Sequence, residues 1–177
     1  MKKIINTILL VLAVALSVPA CAQNNKPRVS PPESVSGMID KASITINYSS
    51  PSVKGRKIWG ALVPYDTVWR AGANEATTFQ TDKDLVIGNQ ILPAGKYSFF
   101  VIPSRTGQCV AIFNKVANQW GAFKYDKSQD QLRVNVGARM VDGMQEMLVY
   151  KITADGFLIA WEKISLFIPV QQSHLNE

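Results

Sequence analysis

Between Arg70 and Thr77 the chain sets a guanidinium, a carboxamide, a carboxylate and a hydroxyl close together, as Arg70, Asn74, Glu75 and Thr77. Arg56 and Lys57 add positive charge a little earlier, while Trp69, Trp120 and Tyr125 offer flat apolar faces with a polar edge. Side chains of these types, gathered in one place, hold sugars and other polar, ring-shaped ligands: the ring lies on the aromatic face and its polar groups meet fixed donors and acceptors. The candidate ligand-binding set is therefore Lys57, Trp69, Arg70 and Asn74, with Glu75, Thr77, Trp120 and Tyr125. Glu75 is also the residue suited to general acid or base work, with Arg70 to hold an anionic substrate. Glycoside hydrolysis needs a second carboxylate, which Asp66 or Asp126 could supply in space.

Each of these residues also has a purely structural reading. Arg70 and Glu75 could be an ion pair internal to the fold, since such networks produce the same clusters. A tryptophan beside a turn in a small β domain is usually core.

Other chemistry is poorly represented. The single histidine, His174, sits in the C-terminal tail, a poor place for the imidazole of a Ser-His-Asp or Cys-His arrangement. No Gly-x-Ser-x-Gly elbow, phosphate-cradling glycine loop or Gly-x-Gly-x-x-Gly fingerprint occurs, so no cofactor is expected. Two cysteines and one histidine argue against a His/Cys metal site. Asp82 and Asp84 flank Lys83 just before a strand pattern and read as a solvated turn rather than calcium ligands. Cys109 lies in the apolar run Cys109-Val110-Ala111-Ile112-Phe113 and reads as a buried, inert thiol.

The elements that must position the polar cluster are strands. Of 177 residues, 47% are hydrophobic and 18% charged, which supports a packed core and argues against disorder. Ile44, Ile46 and Tyr48 alternate with polar residues, as do Leu132, Val134 and Val136. The same period continues through Leu148, Tyr150 and Ile152, then Phe157, Ile159 and Trp161, then Ile164, Leu166, Ile168 and Val170. A period of two with one apolar face is a strand signature. Residues 96–102 are apolar on both faces after Tyr97, as in a central strand. Turn chemistry at Gly88-Asn89, Pro93-Ala94-Gly95, Asp142-Gly143 and Asp155-Gly156 punctuates the pattern. The expectation is all-β: one antiparallel sandwich or flattened barrel of about nine or ten strands. Helix is minimal, confined to a short piece around Ile58 to Val63 before Pro64.

The N-terminus reads as a signal peptide over residues 1–22: Lys2 and Lys3, an apolar run from Ile4 to Val18, then small residues. Cleavage after Ala20-Cys21-Ala22 would start the chain at Gln23. Val18-Pro19-Ala20-Cys21 also resembles a lipobox, which would leave a lipid anchor on Cys21. No other segment could span a membrane. Residues 23–34 form a Pro-rich polar linker, 35–170 a single β domain, and 171–177 a flexible tail. Loss of residues 1–22 removes two lysines and no acid, leaving 17 Lys+Arg against 13 Asp+Glu, so the net charge drops from +6 to +4. With no Lys/Arg run and with export expected, nucleic acid is not a partner. The expected location is the periplasm or cell envelope, or outside the cell. Nothing in the pattern specifies an oligomer.

Several blocks carry a family resemblance: Tyr48 to Gly60, Val63 to Phe79, Leu92-Pro93-Ala94-Gly95-Lys96-Tyr97, Asn118-Gln119-Trp120-Gly121, Tyr125-Asp126 and Trp161-Glu162-Lys163. Taken in order over roughly residues 27–170, they resemble a bacterial domain-of-unknown-function family, number 2911, found mostly in exported proteins of Bacteroidetes-type bacteria. The resemblance implies an all-β, exported protein and confers no catalytic residues. Three functional classes stand: a noncatalytic domain binding a small polar or saccharide ligand near Trp69–Thr77; a hydrolase or lyase using Glu75; and a structural protein of the envelope.

Overall fold

Ile44 and Ile46 point to the same side of an extended segment, and both are buried. That alternation defines β2 (Ala42–Ser49), which pairs antiparallel with β1 (Pro32–Ile39) across a turn at Asp40. A computed structural model describes residues 27–172, and the signal segment, Cys21 and His174 lie outside the described residues. β1 starts at Pro32, inside the stretch read as a linker; Ser50 N donates to Pro31 O at 2.9 Å and extends the ladder one step further. Most of β1 is exposed, which suits an edge strand opened by a proline and leaves little apolar signal in its sequence.

The other strands are β3 (Thr77–Thr81), β4 (Leu85–Ile87), β5 (Gln90–Leu92), β6 (Gly95–Ile102), β7 (Gln108–Asn114), β8 (Asp130–Thr153), β9 (Gly156–Pro169) and β10 (Gln171–Gln172). Seven of them build one antiparallel sheet in the order β1-β2-β3-β6-β7-β8-β9. The small sheet β10-β4-β5 takes in Gln171 and Gln172, which pair with Val86 and Leu85. As the two-sided apolar pattern predicts, β6 is central, with a neighbour on each side and an almost wholly buried run from Tyr97 to Val101.

The large sheet curls until it is nearly a barrel. Phe79 of β3 and Phe157 of β9 stand 5.1 Å apart, ring centre to ring centre, although three strands separate β3 from β9 in the sheet order. Phe113 and Phe99 complete this cluster at 5.1–5.4 Å. On the edge side, a Cβ added to Gly37 of β1 would sit 3.0 Å from Ile152 of β8, so the first strand of the sheet closes onto the last but one. The alternating residues expected in the core are there: Ile159, Leu166 and Ile168 are 1%, 1% and 0% exposed.

β8 makes the curl possible. Its first part pairs with β7 and its second with β9, with register shifts between Met140 and Gln145 and between Gln145 and Val149. Bulges of this kind bend a strand and add twist.

Ile58 to Val63 does not form the helical piece expected from sequence. It is a turn, because Gly60 takes φ 77 and a side chain there would strike the Tyr65 ring at 2.5 Å. The helical turn among the described residues is a 3-10 helix at Lys127–Gln129, capped by Asp126, whose carboxylate accepts from Ser128 N at 2.9 Å.

Candidate functional site

The polar cluster sits on the long excursion between β2 and β3, and hydrogen bonds fix that excursion at every step. Trp69 and Val101 exchange both backbone bonds, at 2.8 and 2.9 Å. The Ala71 carbonyl accepts from the Thr77 hydroxyl at 3.0 Å and from the Tyr150 hydroxyl at 2.7 Å. Ala73 N donates to Ser49 O, Ala76 N to Gln119 O, and Gly121 N to Asn74 O. Ala71 and Asn74 hold φ values of 53 and 58. Left-handed backbone is unfavourable for a residue with a Cβ and persists only where surrounding contacts over-determine it. Gly72 between them is pressed close: a Cβ there would lie 2.9 Å from Thr77 Oγ1 and 3.1 Å from Ser49 O. The loop is rigid by construction.

These two left-handed residues decide which side chains share a space. Trp69, Arg70 and Asn74 line one cleft of about 360 Å³, together with Lys54, Arg56 and Trp161. Arg70 is half-buried, and its buried Nε has no hydrogen-bond partner. Burial holds its pKa below the ordinary arginine value. Asn74 donates from Nδ2 to Ser30 O at 3.3 Å, which anchors the amide at the cleft wall.

The remaining candidates lie elsewhere. Glu75 points away from Arg70, and both of its carboxylate oxygens accept from Arg28 Nη1 at 2.9 Å on the surface. The internal Arg70–Glu75 ion pair considered from sequence is therefore not formed. Thr77 is fully buried and serves the Ala71 carbonyl. Lys57 is exposed and does not line the cleft. Trp120, 59% exposed, forms an isolated antiparallel bridge with Glu75 and shares a surface hollow with it, apart from the Arg70 cleft, and borders another hollow with Phe123 and Lys124. Tyr125 packs edge-on against Phe100 and donates its hydroxyl to Asp130, while Arg133 donates to both. Burial and the Asp130 carboxylate push the Tyr125 pKa well up.

Three tryptophans form the floor between two clefts. Trp69 stacks on Trp161 at 6.0 Å, with Trp59 edge-on to Trp69 at 5.7 Å and to Trp161 at 6.3 Å. Trp59 lines a second cleft of about 370 Å³ with Tyr65, Cys109, Met140, Glu162 and Leu166. Burial pushes the Cys109 thiol pKa up, which disfavours the thiolate a nucleophile needs. Sequence reasoning missed Lys54 and Trp161 as cleft residues. Arg56 was visible as charge in the same block, but Trp161 reads as an ordinary inward residue of β9, which it also is.

Among the described residues no group of three His, Cys, Asp or Glu could hold a metal, and no helix is long and apolar enough to cross a membrane. What the arrangement offers is a rigid, aromatic-floored cleft with fixed donors and positive charge. No match to the chain is found among curated proteins or among solved structures. A family model does match, over residues 30–170, a span that includes both the Trp69–Thr77 loop and Trp161. The chain thus belongs to the family described as protein of unknown function (DUF2911).

Proposed function

We propose that the protein is an exported, noncatalytic domain that binds a small polar or saccharide ligand in the cleft at Trp69, Arg70 and Asn74. The supporting observation is Arg70 itself. A half-buried guanidinium whose Nε has no acceptor is costly, and an apolar side chain of similar volume would avoid that cost. A ligand that accepts from Arg70 gives the arginine a reason to be there. The rigid loop supports the same reading, because a binding group held in place loses little entropy when it meets its ligand. The hydrolase or lyase reading would need Glu75 in a cleft beside Arg70, whereas Glu75 gives both oxygens to Arg28.

The test is a glycan array and a small-molecule thermal-shift screen on the purified protein and on Arg70→Met. The expected result is a ligand that raises the wild-type Tm and has no effect on the variant. Hits that act equally on both proteins, or no hits in either screen, would reject the reading and leave the structural envelope role. Export is tested by intact mass on protein from its native host. A chain starting at Gln23 or a diacylated Cys21 supports it, and a chain retaining Met1 removes it.

A further inference from the structure

We infer that the group recognised in the Arg70 cleft is an oxyanion: a carboxylate, phosphate or sulfate carried by a small organic ligand. This rests on the binding reading above and adds what the cleft selects.

Lys54, Arg56 and Arg70 line the cleft, and among the described residues no Asp or Glu does. Two acids adjoin it. Glu75 is held by Arg28, and Glu146 accepts the backbone N–H of Lys54 at 2.9 Å. Arg56 gives Nε to the Val53 carbonyl and Nη2 to the Ser52 carbonyl, which orients its charge without neutralising it. Arg70 has not even a carbonyl for its buried Nε. Among the described residues, Lys54, Arg56 and Arg70 thus outnumber the one carboxylate bonded at the edge of the cleft, Glu146, and the cleft keeps a net positive charge.

A second, independent observation comes from the floor. Trp161 is 1% exposed and lines the cleft, yet its indole N–H has no acceptor. Its stacking partner Trp69 does satisfy its own N–H, on the Gly72 carbonyl at 3.2 Å. Buried polar groups are normally paired, so an orphaned donor in a cleft wall calls for an acceptor. The unsatisfied groups are therefore cations and donors. A neutral sugar hydroxyl brings a donor of its own for every acceptor pair, whereas an ionised oxyanion brings acceptors alone. Arginine matches carboxylate, phosphate and sulfate because its planar fork presents parallel N–H groups. A cleft of about 360 Å³ suits a ligand near monosaccharide size.

The experiment titrates the full protein with matched probes: glucose, glucuronate and glucose 6-phosphate, then acetate, inorganic phosphate and inorganic sulfate. Binding is read by calorimetry and by ¹⁵N-resolved NMR of the Arg70 Nε–H and the tryptophan indole N–H signals. The inference expects the acidic sugars to bind at least tenfold more tightly than glucose, with the Arg70 and Trp161 signals moving together. Phosphate and sulfate against acetate then tell a phosphoryl or sulfuryl ligand from a carboxylate. Arg70→Met should remove the acidic preference and Arg70→Lys should keep part of it. Arg56→Gln, at a more exposed position, should weaken the same preference and guards against a folding defect in the Arg70 variants. Equal binding of glucose and glucuronate would overturn the oxyanion inference while leaving a binding cleft. Binding of no probe, with both signals unmoved, would overturn it together with the reading it rests on.

Discussion

Arg28 reaches both carboxylate oxygens of Glu75 through one Nη, at 2.9 Å each, and ties the chain ahead of β1 to the end of the excursion that leads into β3. The two side chains are about half exposed, at 51% and 47%. Exposed pairs of this kind contribute little, because water and salt screen them. Glu75→Gln should therefore lower stability by less than about 1 kcal/mol in urea denaturation. A loss of about 3–5 kcal/mol would instead mean a buried, charge-paired Glu75.

Gly72 should resist substitution through space rather than through φ. Gly72→Ala drives a methyl group into Thr77 Oγ1 and the Ser49 carbonyl, and the well-braced loop cannot step aside. The expected cost is about 1–3 kcal/mol, as for overpacking elsewhere. Gly143→Ala is the control, since nothing lies within 4 Å of a Cβ there. Equal melting temperatures for the two variants would contradict the close approach.

Ile159 is 1% exposed and belongs to the main core. Ile159→Ala should cost about 2–5 kcal/mol by equilibrium unfolding, from lost transfer energy and the cavity left behind. A cost under 1 kcal/mol would place β9 outside the cooperative core.

Trp120 should be the tryptophan that solvent quenchers reach. It is 59% exposed, whereas Trp69 and Trp161 are 8% and 1% exposed. Trp120→Phe should remove most of the acrylamide-accessible emission and leave the shielded fraction. Trp59, partly exposed at the second cleft, accounts for a smaller residual, and quenching left undiminished by the substitution would mean that Trp69 and Trp161 are open to water.

Alkaline pH should destabilise the fold. Burial raises the native pKa of Tyr150 above its ordinary 10.0 and that of Cys109 above 9.0. The unfolded chain therefore loses these protons first. The stabilisation is complete below pH 9.0 and is lost as pH rises past the unfolded values toward the native ones. Tyr150 alone should add a slope of up to about 1.4 kcal/mol per pH unit once pH exceeds its unfolded value. Urea denaturation at neutral pH and above the tyrosine value would show it. A midpoint that stays constant would mean the two hydroxyl and thiol groups ionise freely in the native state.

Much of the fold was legible because strands with one wet face alternate visibly. Phe157, Ile159 and Trp161 occupy odd positions, whereas Ile164, Leu166 and Ile168 occupy even ones. Sequence reasoning treats that phase change as a break between two strands. The structure keeps one strand, β9, and absorbs the change at Glu162, whose φ of 57 lies opposite the Gln145 irregularity of β8. A bulge and a turn look alike when only the period is visible. The candidate site was legible as a block and not as a geometry. Arg70 and Asn74 share a cleft while Glu75, their neighbour in the chain, does not, because two left-handed residues reverse the direction of the side chains. Lys54 and Trp161 meet across more than a hundred residues, and no local pattern encodes that meeting.

The excursion from Ser50 to Ala76 carries a consequence for how the protein can vary. Its two ends belong to β2 and β3, which are hydrogen-bonded neighbours, so the sheet pins both ends whatever the chain does between them. The entropy of closing such a loop grows only slowly with length, by about 0.6 kcal/mol per doubling. Exchanges at positions such as Arg56 and Arg70 can therefore rewrite what the cleft accepts without renegotiating strand order. A library confined to those exposed and half-buried positions, with the Ala71, Gly72 and Thr77 scaffold held constant, is a route from one ligand specificity to another on an unchanged sheet.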